Sequence, residues 1–192
     1  WIPDHPGINL SGKLSTSSKV KVRIRHLGVL SRFTPTKEKR RFEYAAILGG
    51  PEPQRTIFEH KVAEAFSELA GKKMVFRGSA GRLPFRCEGI DWVTYGDGKS
   101  MSQAISASKL VVARAGYSSL SDLWSLKSKA LVVPTPGQSE QGYLAKRVAK
   151  KNWFASCLQA ELNSERIRKT ETANFEVVSV ENSGLDKALA SL

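Results

Sequence analysis

The loop at residues 113–122 combines small residues with a carboxylate, and it leads into a predicted helix. Gly116 at the start of that helix would let backbone N–H groups approach an anion, which the helix dipole favours. Asp122 has two interpretations. It follows Ser119 at the spacing of a helix capping box, and its carboxylate also suits two adjacent hydroxyls of a ribose. Composition alone favours the cap.

A second loop, residues 49–54, joins a predicted strand to a predicted helix and begins with Gly49-Gly50. Backbone N–H groups at such a turn can bind phosphate. The alternative is a tight turn that needs the backbone freedom of glycine. Neither a phosphate-binding Gly-Lys-Ser/Thr sequence nor the third glycine of the dinucleotide-binding fingerprint follows, so neither motif is predicted.

A third loop, residues 134–141, contains two prolines and a glycine and precedes another predicted helix. Gln138, Glu140 and Gln141 supply donors and acceptors for the hydroxyl groups of a sugar. A local interpretation also exists, in which Ser139 caps the helix and Glu140 complements its dipole. The sequence leaves both open.

Several common chemistries lack their residues in this chain. His5, His26 and His60 show no metal-ligand spacing with Cys87 or Cys157, so no metal site is predicted. The Gly-x-Ser-x-Gly turn of serine hydrolases is missing. Two cysteines make no disulfide framework and fit a reducing compartment.

The charge of the chain favours anionic partners. Thirty Lys and Arg against eighteen Asp and Glu give a net charge of +12 over 192 residues. Basic residues alternate with apolar ones over 19–25, which predicts a solvated strand near a sheet edge. The apolar runs are too short for a membrane span.

Strands and helices must alternate along the chain to position these loops. The predicted strands are 20–25, 42–48, 73–76, 90–95, 110–113, 130–133, 153–156 and 175–180, and the clearest helices are 54–69, 100–106, 120–126 and 141–150. Fully apolar strands such as 130–133 indicate a parallel sheet that is covered on both faces. We therefore predict an α/β fold, a doubly wound Rossmann-like sheet that binds ligands at the carboxyl ends of its strands.

The three loops together resemble a known family. Gly49-Gly50 after a strand, the segment 113–122 and the Pro-rich loop that ends in Glu140-Gln141 occur in the order typical of GT-B glycosyltransferases. The resemblance is to their C-terminal half, in the family of the N-acetylglucosaminyltransferase that makes peptidoglycan lipid II. It covers most of residues 19–155 and is strongest over 109–150.

The resemblance implies one half of a two-domain enzyme. The C-terminal domain of this family binds a nucleotide-sugar, usually a UDP-sugar, and the N-terminal domain holds the acceptor and supplies the general base. The transfer inverts the anomeric centre and is expected to need no metal or other cofactor. Residues 1–18 are rich in Pro, Gly and Ser and lack periodicity, so we expect them to be an arm or interdomain linker. The start at Trp1 and not at a methionine fits this expectation of one half of a longer protein. Residues 19–192 would then form the donor-binding domain.

The resemblance also implies roles for single residues. The donor-binding residues it implies are Arg32, Gly49, Gly50, Met101, Arg114, Gly116, Tyr117, Ser118, Asp122, Gln138, Glu140 and Gln141. Among these, Arg32 and the glycines would lie near the diphosphate, the segment 98–101 by the uracil ring and Asp122 by the ribose. Glu140 and Gln141 would bind the donor sugar.

This chain departs from the family pattern at three places. Asp122 stands where the family often has Glu, Pro51-Glu52-Pro53 replaces small polar residues, and the order Ser139-Glu140-Gln141 is unusual. The base, the sugar and the acceptor therefore stay open.

Three alternatives remain beside the glycosyltransferase half. They are a sugar-nucleotide epimerase of the same architecture, a non-catalytic partner subunit and a basic nucleic-acid-binding module. The scarcity of histidines argues against the epimerase, and aromatic residues are not interleaved with the basic strand as nucleic-acid binding would favour. We expect a cytoplasmic protein whose basic surface also suits the inner face of a membrane.

Overall fold

A six-stranded parallel sheet organises the chain in the computed structural model, which describes residues 1–15, 21, 24–36, 38–81 and 88–176. The strands are β1 (Phe42–Ile47), β2 (Lys73–Phe76), β3 (Ile90–Val93), β4 (Ser108–Arg114), β5 (Ala130–Val133) and β6 (Ala155–Ser156). Their order across the sheet is β3-β2-β1-β4-β5-β6. The chain thus starts in the middle of the sheet, builds one half and then crosses to build the other.

Helices cover both faces of the sheet. They are α1 (Gln54–Ser67), α2 (Gly98–Ser106), α3 (Tyr117–Ser125), α4 (Ser139–Lys150) and α5 (Ser164–Thr172). Side chains alternate across each strand, so Val111 packs with α2, α3 and α4 while Leu110 and Val112 pack with α1 and α5. The predicted doubly wound α/β fold is confirmed.

The central strands pair as the apolar pattern requires. Ala46 lies opposite Val112 in the β1–β4 pair, and Ala113 lies opposite Val132 in the β4–β5 pair. All four residues are completely buried. Strands buried on both faces carry no polar side of their own, and this explains the continuous apolar runs in the sequence.

Two predicted strands differ from the structure. The strand expected at 20–25 falls partly outside the described residues, and Ile24 and Arg25 belong to no strand. The strand expected at 175–180 also falls mostly outside them, and the described Phe175 and Glu176 are not in a strand. Beside the first of these, Ile2 forms an isolated bridge with His26 instead.

Three helices begin earlier than the periodicity predicted, and α2 begins at Gly98 and not at Ser100. Helix α3 begins at Tyr117 and not at Leu120, and α4 begins at Ser139 and not at Gln141. The small polar residues that open both helices have no apolar periodicity, so the sequence pattern missed their first turns. Ser139 is therefore inside α4 and does not cap it, since Gln138 is the cap residue.

Residues 1–15 pack against α3 and α4. Leu10 is fully buried in the core with the two helices. The Asp4 carboxylate accepts hydrogen bonds from the backbone N–H groups of Leu10 and Ser11, at 3.0 and 2.8 Å. Arg147 of α4 donates to the Asn9 carbonyl at 2.9 Å. In the part of the chain that the structure describes, no helix combines the length and the apolarity needed to cross a bilayer.

Candidate functional site

Asp122 is a buried carboxylate in the second turn of α3. The helix starts after Gly116, and no side chain caps it. The capping-box interpretation of Asp122 is therefore wrong. Its Oδ1 accepts from Ser31 Oγ at 2.8 Å, and its Oδ2 accepts from Arg32 Nε at 3.0 Å. Ser31 and Arg32 lie in the segment before β1, which the core holds through Val29 and Phe33.

A cleft of about 710 Å³ opens over this ion pair. Its lining residues are Pro3, Leu30, Ser31, Arg32, Tyr117, Ser118, Ser119 and Asp122. The first backbone bond of α3 runs from Leu120 N–H to the Gly116 carbonyl, at 3.0 Å. The N–H groups of residues 117–119 therefore have no carbonyl partner within the helix. Together with Arg32, whose side chain is 61% exposed, they form a site suited to an anion.

Tyr117 holds the N-terminal segment at the wall of the cleft. Its hydroxyl donates a hydrogen bond to the Pro3 carbonyl. Burial and the nearby Asp4 charge raise the pKa of Tyr117 to about 12, so the hydroxyl stays a donor at neutral pH. Pro3 is thus fixed beside the start of α3.

A second polar group lies at the ends of β1, β4 and β5. Gln141 Oε1 accepts from the backbone N–H of Thr135 at 2.9 Å, and its Nε2 donates to Gln138 Oε1 at 2.6 Å. A Cβ on Gly116 would lie 3.9 Å from Gln141 Nε2, and one on Gly50 would lie 3.8 Å from Thr135 Oγ1. Gly116, at the start of α3, therefore lies between the Gln141 side-chain amide and the cleft.

The start of α1 differs from the start of α3, although a glycine turn precedes both. The Glu52 carboxylate accepts from Thr56 N–H in the first turn of α1, at 3.2 Å. Hydrogen bonds from Arg55 and Thr56 lower the pKa of Glu52. This helix terminus already holds a carboxylate of its own chain, whereas the terminus of α3 is open to the cleft.

Three predicted site residues lie away from the cleft. Arg114 is only 3% exposed and sits on the α1 face, where its guanidinium donates to the Gln54 carbonyl at 2.8 Å. Met101 is buried in α2 against the core. Glu140 is exposed in the first turn of α4. The structure thus brings Arg32, Gly116, Tyr117, Ser118 and Asp122 together, with Gln138, Gln141 and Gly50 adjoining.

Three residues at the site were not predicted from the sequence, namely Ser31, Pro3 and Thr135. Ser31 and Asp122 are 91 positions apart, and no local pattern links them. Thr135 is buried against Gln141, and the Pro-rich loop around it gave no sign of that contact. Contacts between residues that are far apart in the chain form only in the folded protein, so the spacing of residues in the sequence does not predict them.

Comparisons with known proteins give a family match and a set of solved structures with the same fold. The family model of the glycosyltransferase family 28 C-terminal domain matches residues 58–176. Among curated proteins, none matches this chain.

Solved glycosyltransferases share the fold at low identity. SnogD from Streptomyces nogalater is 11% identical with a TM-score of 0.57, and the match covers 80% of this chain and 38% of SnogD. MurG from Acinetobacter baumannii is 17% identical with a TM-score of 0.57, covering 81% and 49%. The rhamnosyltransferase SpnG, complexed with thymidine diphosphate, is 14% identical with a TM-score of 0.57, covering 94% and 50%. The chain therefore spans half or less of each of these proteins.

Proposed function

We propose, from the premise that this chain belongs to glycosyltransferase family 28 and carries its C-terminal domain, that it binds the nucleotide-sugar donor of a glycosyltransferase. The observation that carries the proposal is the open start of α3 facing Arg32 across one cleft. Unpaired N–H groups, a helix dipole and a guanidinium all favour a diphosphate there.

The transfer we propose is a direct displacement. An acceptor hydroxyl attacks the anomeric carbon of the sugar, and the nucleoside diphosphate leaves with its electron pair, so the configuration inverts. The N–H groups of residues 117–119 and Arg32 would stabilise the charge that develops on the leaving group. A second, acceptor-binding domain would supply the base that takes the hydroxyl proton. That no metal takes part stays a prediction.

The base and the sugar would lie on opposite sides of the diphosphate. Gly98 lies next to the ring of Phe33, since a Cβ on Gly98 would be 3.9 Å from Phe33 Cε1. Because Phe33 follows Arg32 in the chain, this proximity supports contact between the start of the segment 98–101 and the base, for which we propose uracil. Gln138 and Gln141 offer amides for the hydroxyls of the sugar. Glu140 would complete that side, and the turn at Gly49-Gly50 would offer backbone N–H groups to the diphosphate.

The acceptor and its location are further proposals. A net charge of +12 suits an acidic membrane face that presents a lipid-linked acceptor. A nucleic-acid module remains the competing function, since the same charge also suits nucleic acid.

Calorimetric titration with UDP, GDP and TDP at modest salt tests the donor site. We expect one of them, UDP, to bind, and Arg32→Ala to weaken it about tenfold or more through the lost charged hydrogen bonds. Lys150→Ala removes an exposed charge at the opposite end of α4 and should change nothing. Absence of nucleotide binding, with tight salt-dependent binding of DNA or RNA instead, would overturn the proposal.

A further inference from the structure

We propose that docking of the N-terminal segment, residues 1–15, and binding of a nucleotide in the cleft stabilise each other, so that the bound ligand holds this segment in place. The inference rests on the proposed function, because the ligand is the nucleotide of that same cleft. It concerns a part of the chain outside the family match, which covers residues 58–176.

Pro3 brings the N-terminal segment into the wall of the cleft. It lines the cleft together with Tyr117, Ser118 and Ser119 of α3. The Pro3 carbonyl accepts a hydrogen bond from the Tyr117 hydroxyl. A ligand at the start of α3 therefore lies beside Pro3 as well, and its contact with this wall exists only while the segment is docked.

The same stretch is joined to the side of the cleft that carries Arg32. The Ile2 N–H donates to the Arg25 carbonyl at 2.8 Å, and the Ile2 carbonyl accepts from the Leu27 N–H at 2.9 Å. Residues 30–32, which follow shortly after in the chain, line that side of the cleft. Displacement of the segment would therefore remove contacts from both sides of the cleft.

The remainder of the N-terminal segment is anchored on α4. Leu10 is fully buried in the core beside α3 and α4. Arg147 Nη2 donates to the Asn9 carbonyl at 2.9 Å and to Asn9 Oδ1 at 2.8 Å. Among the residues that the structure describes, none of 9–15 and none of α4 lines the cleft. Substitutions at this anchor can thus release the segment without changing a residue that meets the ligand.

Asp4 joins the cleft wall to the anchor. It is 1% exposed, and its carboxylate accepts from the Leu10 N–H at 3.0 Å and from the Ser11 N–H at 2.8 Å. Because Asp4 directly follows Pro3, a shift of the anchor also moves the wall of the cleft. The ligand loses its contact with Pro3 when the segment leaves, so docking and binding favour each other by the same factor.

Hydrogen exchange of the 192-residue chain, with and without saturating UDP, tests this coupling. We expect UDP to slow exchange of the Leu10, Ser11 and Leu27 N–H groups about fivefold or more, because the bound ligand makes local opening of the segment rarer. Helix α5, held at the amino ends of the strands, is the reference and should slow by a smaller factor. If UDP binds in calorimetry but leaves exchange of the segment unaltered, or slows α5 equally, the proposal is wrong.

Two glycines of the N-terminal segment supply a second test through the affinity itself. Gly12→Ala places a methyl group against α4, because a Cβ there would lie 2.7 Å from Arg147 Nε. We expect the apparent Kd for UDP to rise about tenfold, which is the result when about one molecule in ten stays docked. Gly7→Ala is the matched control, because a Cβ there would lie 3.7 Å from the His5 ring. It should leave the Kd unaltered.

Leu10→Ala releases the anchor by a different route, because it empties a buried position of the core, and it should weaken UDP in the same way. Faster trypsin cleavage after Lys13 in either variant, at wild-type affinity for UDP, would overturn the proposal. Cleavage at the wild-type rate in both variants would overturn it as well, because docking would then not depend on this anchor. If the wild-type chain binds neither inorganic pyrophosphate nor UDP, the proposed function itself fails.

Discussion

Two arginines that the family resemblance placed at one site differ in their exposure and in their contacts. Arg32 is exposed in the cleft, whereas Arg114 is enclosed on the other face of the sheet. Arg114 donates to the Gln54 carbonyl and to Gln159 Oε1, and its guanidinium lies 3.9 Å from the centre of the Phe58 ring. Burial lowers the pKa of Arg114 to about 10, so it stays charged at neutral pH. Arg114 therefore joins the start of α1 to the segment after β6.

Lysine substitutions at Arg114 and at Arg32 should have opposite effects on the free energy of unfolding and on the affinity for UDP. Arg114→Lys keeps the charge but loses the planar set of donors, so we expect about 1–3 kcal/mol less stability in urea unfolding. Its affinity for UDP should change little. Arg32→Lys should show the reverse, because an exposed ion pair contributes only about 0–1 kcal/mol to stability. If Arg114→Lys loses affinity at full stability, the guanidinium reaches the ligand after all.

The sequence predicted the site residues unevenly, because only some of them are neighbours in the chain. Gly116, Tyr117 and Ser118 follow one another in the chain, so a motif could locate them together. The partner of Asp122 lies 90 positions away, and spacing alone favoured a local cap for that carboxylate. Packing also decides on which face of the sheet an arginine side chain lies, and the sequence does not show this. Arg114 and Arg32 were therefore predicted at the same site.

At the scale of elements, α5 is fastened to the amino ends of the strands by charge. Glu171 accepts from the Tyr44 hydroxyl of β1 at 2.6 Å and pairs with Lys109 of β4. Lys129, just before β5, donates to the carbonyls of Glu171 and Ala173, both at 2.7 Å. The hydrogen bonds from Lys109 and Tyr44 lower the pKa of Glu171.

Lowering the pH should weaken the contacts of Glu171 that hold α5 to the sheet. Because the pKa of Glu171 is lower in the folded chain than in the unfolded one, its ionised form adds stability above the unfolded pKa. That contribution disappears as the pH falls through the folded pKa. We expect Glu171→Gln to cost about 1–2 kcal/mol near neutral pH and much less near pH 3, measured by urea unfolding at both.

A neighbouring carboxylate provides the control for this pH dependence. Glu165, exposed in the first turn of the same helix, has none of these partners, so Glu165→Gln should show little difference between the two conditions. A loss in Glu171→Gln that is equally large at both would contradict the assignment to its charge.

The helices and strands were predicted from the sequence more completely than the contacts of the site. The bounds of β2 and β5 match their predictions, because short apolar runs end at clear breakers such as Pro134. Helices that open with small polar residues were predicted too short. The strand expected near residue 20 was inferred from an alternation that a solvated, extended segment also shows, and periodicity does not distinguish the two.

For the molecule as a whole, residues 1–15 are a structural part of the domain described here. Gly12 allows this packing, because its backbone is left-handed with φ +56°. A Cβ there would overlap Tyr143 Oη and would lie 2.7 Å from Arg147 Nε. Tyr143 of the same helix also holds the segment, because its Oη accepts a hydrogen bond from the Lys13 N–H at 2.8 Å.

Gly12→Ala should release this segment. The methyl group meets both a strained backbone, at about 1–2 kcal/mol, and two side chains of α4. We expect trypsin to cut after Lys13 about tenfold faster than in the wild type, read by mass spectrometry, since local opening becomes more frequent. Gly7→Ala is the matched control, because a Cβ there would meet only His5, at 3.7 Å. Equal cleavage rates in the two variants would contradict the close packing at Gly12.

The Arg32–Asp122 ion pair has a consequence for the substitutions that related chains can carry. The two positions are 90 residues apart and joined by one ion pair, so a substitution that neutralises one removes the charge partner of the other. Related chains that carry a longer carboxylate at position 122 should carry a compensating change in residues 31–33. A chimera that takes its half-sheets from two such lineages would combine residues 31–33 of one with residue 122 of the other, so this ion pair would be mismatched even though every strand of the sheet still pairs.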